Sequence, residues 1–352
     1  MIVPPNPPDS ADKHPLTPSR APSDPAPASG KIILLGEHAA VYGAPALALP
    51  ITQLSARAVA ATAAVSANAG KPPVTCTYRH PDSGMARPLA EMTGLQSLTD
   101  AFMRRIGPAE EWPCEIWVDC DIPPGRGLGF SAAVARAAVA ALAELYGLRL
   151  TEDVVLELVQ VSENITHGLA SGIDALTVGA EAPVLMAGGR ARTPDVGLDA
   201  VVVVADSGIP SRTRDAVALL GRRFQDAPGA QEVFVRAATD IAEGALEDLA
   251  SGRGEEFGAG LSSYHRLLGA AGLSVVGTDV LVLAALDAGA WGAKISGGGL
   301  GGCVAALCAD ADVAGRVAER QRALGAVRTW TAPLSKTRTQ DRPAARRTGH
   351  GN

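Results

Sequence analysis

Aromatic residues are scarce in this 352-residue chain: five Phe, four Trp and four Tyr make up 4% of it. A core of this size must therefore be filled by Ala, Val and Leu. Cysteine is as rare. Its five thiols, Cys76, Cys114, Cys120, Cys303 and Cys308, form no CxxC pair and no metal-ligand spacing. An odd, dispersed set of this kind is expected to stay reduced in a cytoplasmic protein. Basic excess is missing too, because 31 Lys and Arg against 37 Asp and Glu leave a net charge of -6. That sign argues against a partner such as nucleic acid held on a basic face. No long apolar run is present. The longest uncharged stretch, Ala39 to Ala56, is interrupted by Gly43, Pro45, Pro50, Thr52, Gln53 and Ser55, so no membrane span is expected. Lysine is the least used cation, with only Lys13, Lys31, Lys71, Lys294 and Lys336 among the 31. A lysine kept inside a glycine-rich motif is notable in such a chain, because ammonium and guanidinium are not interchangeable.

What is present describes a folded, two-lobed protein. Hydrophobic residues make up 47% and charged ones 19%, which excludes disorder across the whole chain. The length fits two lobes. Residues 1–29 hold nine of the 25 prolines and no apolar periodicity, the composition of a disordered leader rather than a signal or transit peptide. Residues 334–352 read as a basic, flexible tail. The body is then 30–333, with strand and helix patterns mixed in both halves. The expected class is α+β, with a seam near residue 197 separating lobes 30–197 and 198–333. Residues 114–122 alternate: Cys114, Ile116, Val118, Cys120 and Ile122 share one face of a predicted strand. An Ala-rich helix is predicted from Ser131 to about Tyr146, and another from Thr151 to about His167. Strands are predicted at 184–188 and 198–206, and three or four helices at 211–290. The last unit reads strand, glycine loop, strand (303–308), helix (311–324) and strand (326–332).

Four segments carry chemistry. PPGRGLGFSAA (123–133) places Gly125, Gly127 and Gly129 just before the Ala-rich helix. Such a loop lets the backbone approach a ligand and presents helix N-terminal amides, the requirements for holding a phosphate. It lacks the Gly-Lys-Ser/Thr ending of a P-loop, and a plain strand-to-helix turn is the simpler alternative. KISGGGLGGC (294–303) packs five glycines into 297–302, either a flexible hairpin or a second wall of a nucleotide cradle. SGKIILLGEHAAVYG (29–43) sets Lys31 at the start of an apolar strand and Glu37-His38 at its end, a solvated loop or a pocket wall. SENITHGLASGIDALTVG (162–179) places Glu163 near one helix end and Asp174 at the start of the next, where acids most often cap.

Together these strings resemble the GHMP kinases, the superfamily of galacto-, homoserine-, mevalonate- and phosphomevalonate kinases, and within it the mevalonate kinases. The resemblance spans residues 30–310, in the family's motif order, and takes in DSGIPSRTRDAV (206–217). It implies a two-lobed fold with an N-terminal α/β lobe carrying the nucleotide loop and a ferredoxin-like α+β C-terminal lobe, the active site lying between them. It implies a cytoplasmic, Mg²⁺- and ATP-dependent enzyme phosphorylating the 5-hydroxyl of mevalonate, with neither nucleic acid nor membrane as partner and with a homodimer left open. A kinase of another small or phosphorylated alcohol, and a non-catalytic regulator on the same fold, are the alternatives. By resemblance Asp174 is the catalytic base and Lys31 its charge partner. Pro124, Gly125, Arg126, Gly127, Leu128, Gly129, Phe130, Ser131 and Ala132 hold ATP, and Ser131 and Glu163 hold Mg²⁺. Lys31, Glu37, His38, Asp174, Arg214, Gly298 and Gly299 form the acceptor side. One departure stands out: Phe130 occupies the place of the family's first Ser in GLGSS.

Overall fold

The computed structural model describes residues 27–62, 75–79, 86–88, 93–106, 114–167 and 170–336. Residues 1–26 of the expected leader and 337–352 of the expected tail lie outside them. Both boundaries move by a few residues: Ala28 and Ser29 already belong to the first strand, paired with Ala56 and Ser55, and Leu334 closes the last one. Backbone pairing to a long neighbour outweighs the proline-rich composition just upstream.

The N-terminal lobe is built on a seven-stranded sheet. Strand β1 (Ala28–Leu35) lies antiparallel to β2 (Ala46–Thr62), which is long enough to pair also with β5 (Cys114–Cys120) and β6 (Val184–Ala187). Strands β3 (Thr75–Arg79) and β4 (Ala86–Pro88) extend one edge, and β7 (Arg190–Arg192) the other. In β5 the alternation read from the sequence is the one that folds: Cys114, Ile116, Val118 and Cys120 are buried, while Trp117 is 43% exposed. Helices α1 (Thr93–Ile106), α2 (Phe130–Leu145), α3 (Glu152–His167) and the short α4 (Ile173–Thr177) complete the lobe. Ten of the sixteen residues of α2 are buried, and seven of those are alanines. Small side chains let this helix sit close to the sheet and leave the chain few aromatic rings to place.

The C-terminal lobe runs β8 (Ala200–Asp206), four helices, β9 (Gly292–Ser296), β10 (Cys303–Cys308), α9 (Ala311–Ala323) and β11 (Arg328–Leu334). The four helices are α5 (Thr213–Asp226), α6 (Ala230–Ala250), α7 (Gly254–Ala270) and α8 (Val276–Asp287). All strand pairs of this sheet are antiparallel, in the order β11-β8-β10-β9. A β-α-β-β-α-β chain with that order is a ferredoxin-like arrangement. Strand β10 is buried at every position, as a central strand covered on both faces should be. One continuous apolar core runs through both lobes, from Ile32 and Leu34 to Val203 and Leu307. Among the described residues no helix is long and apolar enough to cross a membrane.

Candidate active site

A cavity of about 690 Å³ opens where the lobes meet, in the range that takes a cofactor or drug-sized ligand. The end of β5 feeds the first glycine loop, which delivers the chain to α2 with Gly129 as the cap residue at φ 80°. The second glycine loop joins β9 to β10. The two loops touch backbone to backbone. A Cβ on Gly127 would stand 3.1 Å from the Ser296 carbonyl oxygen, and one on Gly297 would stand 2.9 Å from the Gly127 Cα. Any side chain there would push the lobes apart, so both sequences need glycine at this contact. The Ser211 amide donates to the Gly125 carbonyl at 2.8 Å and ties the start of the C-terminal lobe to the first loop.

On the cavity floor, Lys31 Nζ lies 2.9 Å from Asp174 Oδ2, with side-chain exposures of 2% and 29%. Lys31 comes from β1 and Asp174 from the first turn of α4. The strand is drawn to both neighbours by backbone bonds, Lys31 amide to Leu128 carbonyl at 3.0 Å and Ser29 amide to Val178 carbonyl at 2.8 Å. Gly129 makes room for the lysine stem, since a Cβ there would lie 2.8 Å from Lys31 Cγ. Beside them Glu163 is buried and hydrogen-bonded to Ser131. Burial first, and then the charge of Asp174, push the Glu163 carboxyl up to about 7. A buried carboxylate next to a hydroxyl and a second carboxylate is an oxygen donor set for a hard divalent cation, which would relieve the crowded negative charge. Among the described residues no group of three or more His, Cys, Asp or Glu could hold a metal. Such a cation would therefore draw its remaining ligands from phosphate and water.

The far wall is formed by the turn after β1 and by α5. Glu37 is buried and ion-paired with Lys294. Burial pushes the Glu37 carboxyl up and the Lys294 ammonium down, and each charge opposes the shift of the other. His38 adopts φ 61°, unusual for a non-glycine residue. Its ring bonds the Gly298 backbone, and desolvation lowers it to about 4, so it is neutral at pH 7. Arg214 reaches across from α5 and donates Nε and Nη2 to the Thr166 carbonyl at 3.3 and 3.1 Å.

Lys31, Glu37, His38, Gly125, Gly127, Gly129, Phe130, Ser131, Glu163, Asp174, Arg214 and Gly298 line the one cavity. The side chains of Pro124, Arg126, Leu128 and Ala132 do not line it, nor does Gly299. Leu128 and Ala132 turn into the core. Gly299 packs on the Leu273 carbonyl. Pro124 is exposed. Arg126 turns beneath the loop to Asp206, Nε to Oδ2 at 3.3 Å. Phe130 is the first residue of α2, one earlier than expected, and its half-buried ring packs on the core at the cavity edge. Sequence reading gave Asp206 no role, although it opens the segment DSGIPSRTRDAV. It also gave Lys294 no role, although that lysine stood out as one of five.

Two family models match the chain: the GHMP kinases N-terminal domain over residues 95–180 and the GHMP kinases C-terminal domain over 245–326. A mevalonate kinase of Pyrococcus horikoshii is 31% identical over 300 residues, covering 80% of this chain and 88% of that protein. One of Thermococcus onnurineus is 33% identical with the same coverage. Among solved structures, L. major mevalonate kinase in complex with R-mevalonate superposes with a TM-score of 0.74 at 23% identity, covering 90% of this chain and 97% of that one. Mevalonate kinase from a methicillin-resistant Staphylococcus aureus gives 0.61 at 26% identity, covering 88% and 98%.

Proposed function

This chain belongs to the GHMP kinase family, and from that premise we propose that it transfers the γ-phosphoryl group of ATP to the 5-hydroxyl of mevalonate. The observation that carries the reading is the Lys31–Asp174 pair, 2.9 Å apart on the floor of a cavity walled by two glycine loops. Asp174 accepts the hydroxyl proton as the new O–P bond forms and the bond to the ADP oxygen breaks. Lys31 favours the ionised carboxylate by opposite charge and places a cation near the transferred group. A positioned base supplies about 10² to 10⁴ in rate, and phosphoryl transfer draws the rest from positioning and charge stabilisation.

The remaining roles follow the cavity. The loop from Pro124 to Ala132 holds the ATP phosphates through its backbone amides and the N-terminus of α2, with Leu128 and Ala132 anchoring it in the core. Glu163 and Ser131 are the residues that would hold Mg²⁺, which when bound neutralises phosphate charge. Glu37, His38, Arg214 and Gly298 form the acceptor side, backed by Gly299. Arg214 is the cation suited to a carboxylate at the acceptor's far end. Lobes of 30–197 and 198–333, a cytoplasmic setting, and small molecules rather than nucleic acid or membrane as partners belong to the same reading. Light scattering tests the homodimer. A coupled ADP-release assay across mevalonate, phosphomevalonate, galactose and homoserine tests the function: turnover of mevalonate above the others is expected. Preference for another acceptor moves the chain within the family, and turnover of none overturns the reading.

A further inference from the structure

Lys294 has no part in the mechanism above, yet it sits in a buried polar cluster between the lobes. We infer that Lys294 is a positioning residue for the acceptor: acting through Glu37, it holds the turn at 37–38 against the second glycine loop and so shapes the acceptor wall of the cavity. The inference rests on the kinase reading of that cavity and names a residue to which the reading gives no role.

The lysine is fully buried, three residues before Gly297. Its ammonium meets three acceptors: Glu37 Oε1, the Ile295 carbonyl at 2.6 Å and the Ile33 carbonyl at 3.4 Å. Three acceptors match its three protons, which leaves none for a ligand. Lys294 is therefore not a catalytic residue and acts through what it holds. The surrounding groups hold the same joint. Its Nζ lies 5.5 Å from the centroid of the Tyr264 ring, and Tyr264 on α7 donates its hydroxyl to the Glu37 carbonyl at 3.0 Å. Ser296 Oγ accepts from the Ile33 amide at 3.0 Å and donates to the Ile33 carbonyl at 2.8 Å. Strand β1 of one lobe is thus fastened to β9 and α7 of the other by side chains that solvent does not reach.

What is fastened is the acceptor wall. Glu37 leads directly into His38, whose left-handed backbone brings its ring to the Gly298 backbone. The path Lys294–Glu37–His38–Gly298 leaves β9 and returns to the loop that β9 opens, a closed circuit around one side of the cavity. Lys294 engages only one carboxylate oxygen. Glu37 Oε2 is buried with no hydrogen-bond partner, an arrangement that costs free energy unless a donor arrives. Glu37 lines the cavity, and a hydroxyl on a bound acceptor is a donor of the right chemistry. By fixing Oε1, Lys294 settles which oxygen is left for that donor.

The test is steady-state kinetics of the full chain with mevalonate and ATP, for the wild type, Lys294→Met, Glu37→Gln and the double variant, each with its melting temperature. Should the methionine variant not fold, Lys294→Gln takes its place, since it removes the ammonium and the ion pair to Glu37 while keeping a polar side chain in the buried site. Loss of the positioning contact is expected to raise the acceptor KM about tenfold or more, with kcat and the ATP KM within about threefold. The double variant is expected to be no worse than the poorer single, because the lysine acts through the carboxylate. A lowered melting temperature with an unchanged acceptor KM would reduce Lys294 to a structural staple and overturn the inference, as would multiplicative effects in the double variant. A wild type inert toward every acceptor would overturn the kinase reading and this inference with it. An active wild type whose lysine variant keeps its KM overturns the inference alone.

Discussion

Two lysine–carboxylate pairs border the cavity, Lys31–Asp174 on its floor and Lys294–Glu37 at its far wall, and their surroundings are opposite. In Lys31–Asp174 the carboxylate is 29% exposed, whereas in Lys294–Glu37 both side chains are at most 1% exposed. Identical chemistry takes different work from this contrast. An accessible carboxylate can exchange a proton with a substrate hydroxyl. A sealed one holds its neighbours in place, at a desolvation cost that the partner charge must offset, and offers a ligand no more than the unbonded Oε2 of Glu37. The sealed pair spans the lobes, joining the turn after β1 to β9, while the open one stays within the N-terminal lobe, joining β1 to α4. Exposure, more than pairing, separates a reacting group from a fastening one.

Breaking the open pair is expected to give the largest effect. Asp174→Asn should fold and bind ATP while turnover in the ADP-release assay falls about 10²-fold or more. Lys31→Met should fall at least as far, and the double variant should be far less impaired than the product of the singles. Lys31→Arg keeps the charge, yet Gly129 presses on the lysine stem and a planar fork does not fit an ammonium's place, so strong impairment is expected. Full activity in Asp174→Asn would erase the contrast between the pairs.

Breaking the sealed pair should show in stability first. Lys294→Met leaves a buried carboxylate without its cation and is expected to cost about 3 to 5 kcal/mol in urea unfolding. Lys31→Met should cost clearly less, since Asp174 can still reach water. Equal costs would mean that exposure does not set the difference.

Glu163 lies between the two cases, buried yet facing the site. Glu163→Gln should raise the Mg²⁺ concentration for half-maximal rate by about tenfold or more. At neutral pH it should also raise the melting temperature in the absence of nucleotide, because a crowded buried charge is removed. An unchanged Mg²⁺ dependence would return Glu163 to a purely helical role.

His38 extends the comparison to pH. Its folded value of about 4 lies below the 6.5 of an unperturbed imidazole, so the folded state binds fewer protons between the two. The stability linked to this group is present above 6.5 and lost as pH falls toward 4, by up to about 3 kcal/mol. His38→Gln should flatten that part of the stability–pH curve, and an unaltered slope would show that another group titrates there. Phe130→Ser is expected to be the mildest change. The ring is half-buried, so about 1 kcal/mol of stability is at stake, half the worth of full burial. The ATP KM should move by less than about tenfold while kcat persists. A gain of activity from an inert wild type would reverse the reading.

Much of the molecule was legible from the chain alone, for local reasons. The alternation of residues 114–120 needs only a two-residue period, and the alanine face of α2 only a helical one. The positive φ of Gly125, Gly127 and Gly129 follows from what glycine permits in a turn before a helix. The motifs 29–43, 123–133, 162–179 and 294–303 named the family and grouped Lys31, Glu163 and Asp174 before any contact was known. Neighbours distant in sequence were not legible. Nothing in residues 123–129 shows that Leu128 turns inward while Gly127 meets Gly297, because the direction of a side chain in an irregular loop is set by what packs on it. Nor does any period in the sequence pair Arg126 with Asp206, or Glu37 with Lys294, 257 positions away. Burial decided how these charges are placed, and burial is a property of two lobes pressed together: it strips water from the Glu37–Lys294 pair and leaves the Asp174 carboxylate open to the cavity.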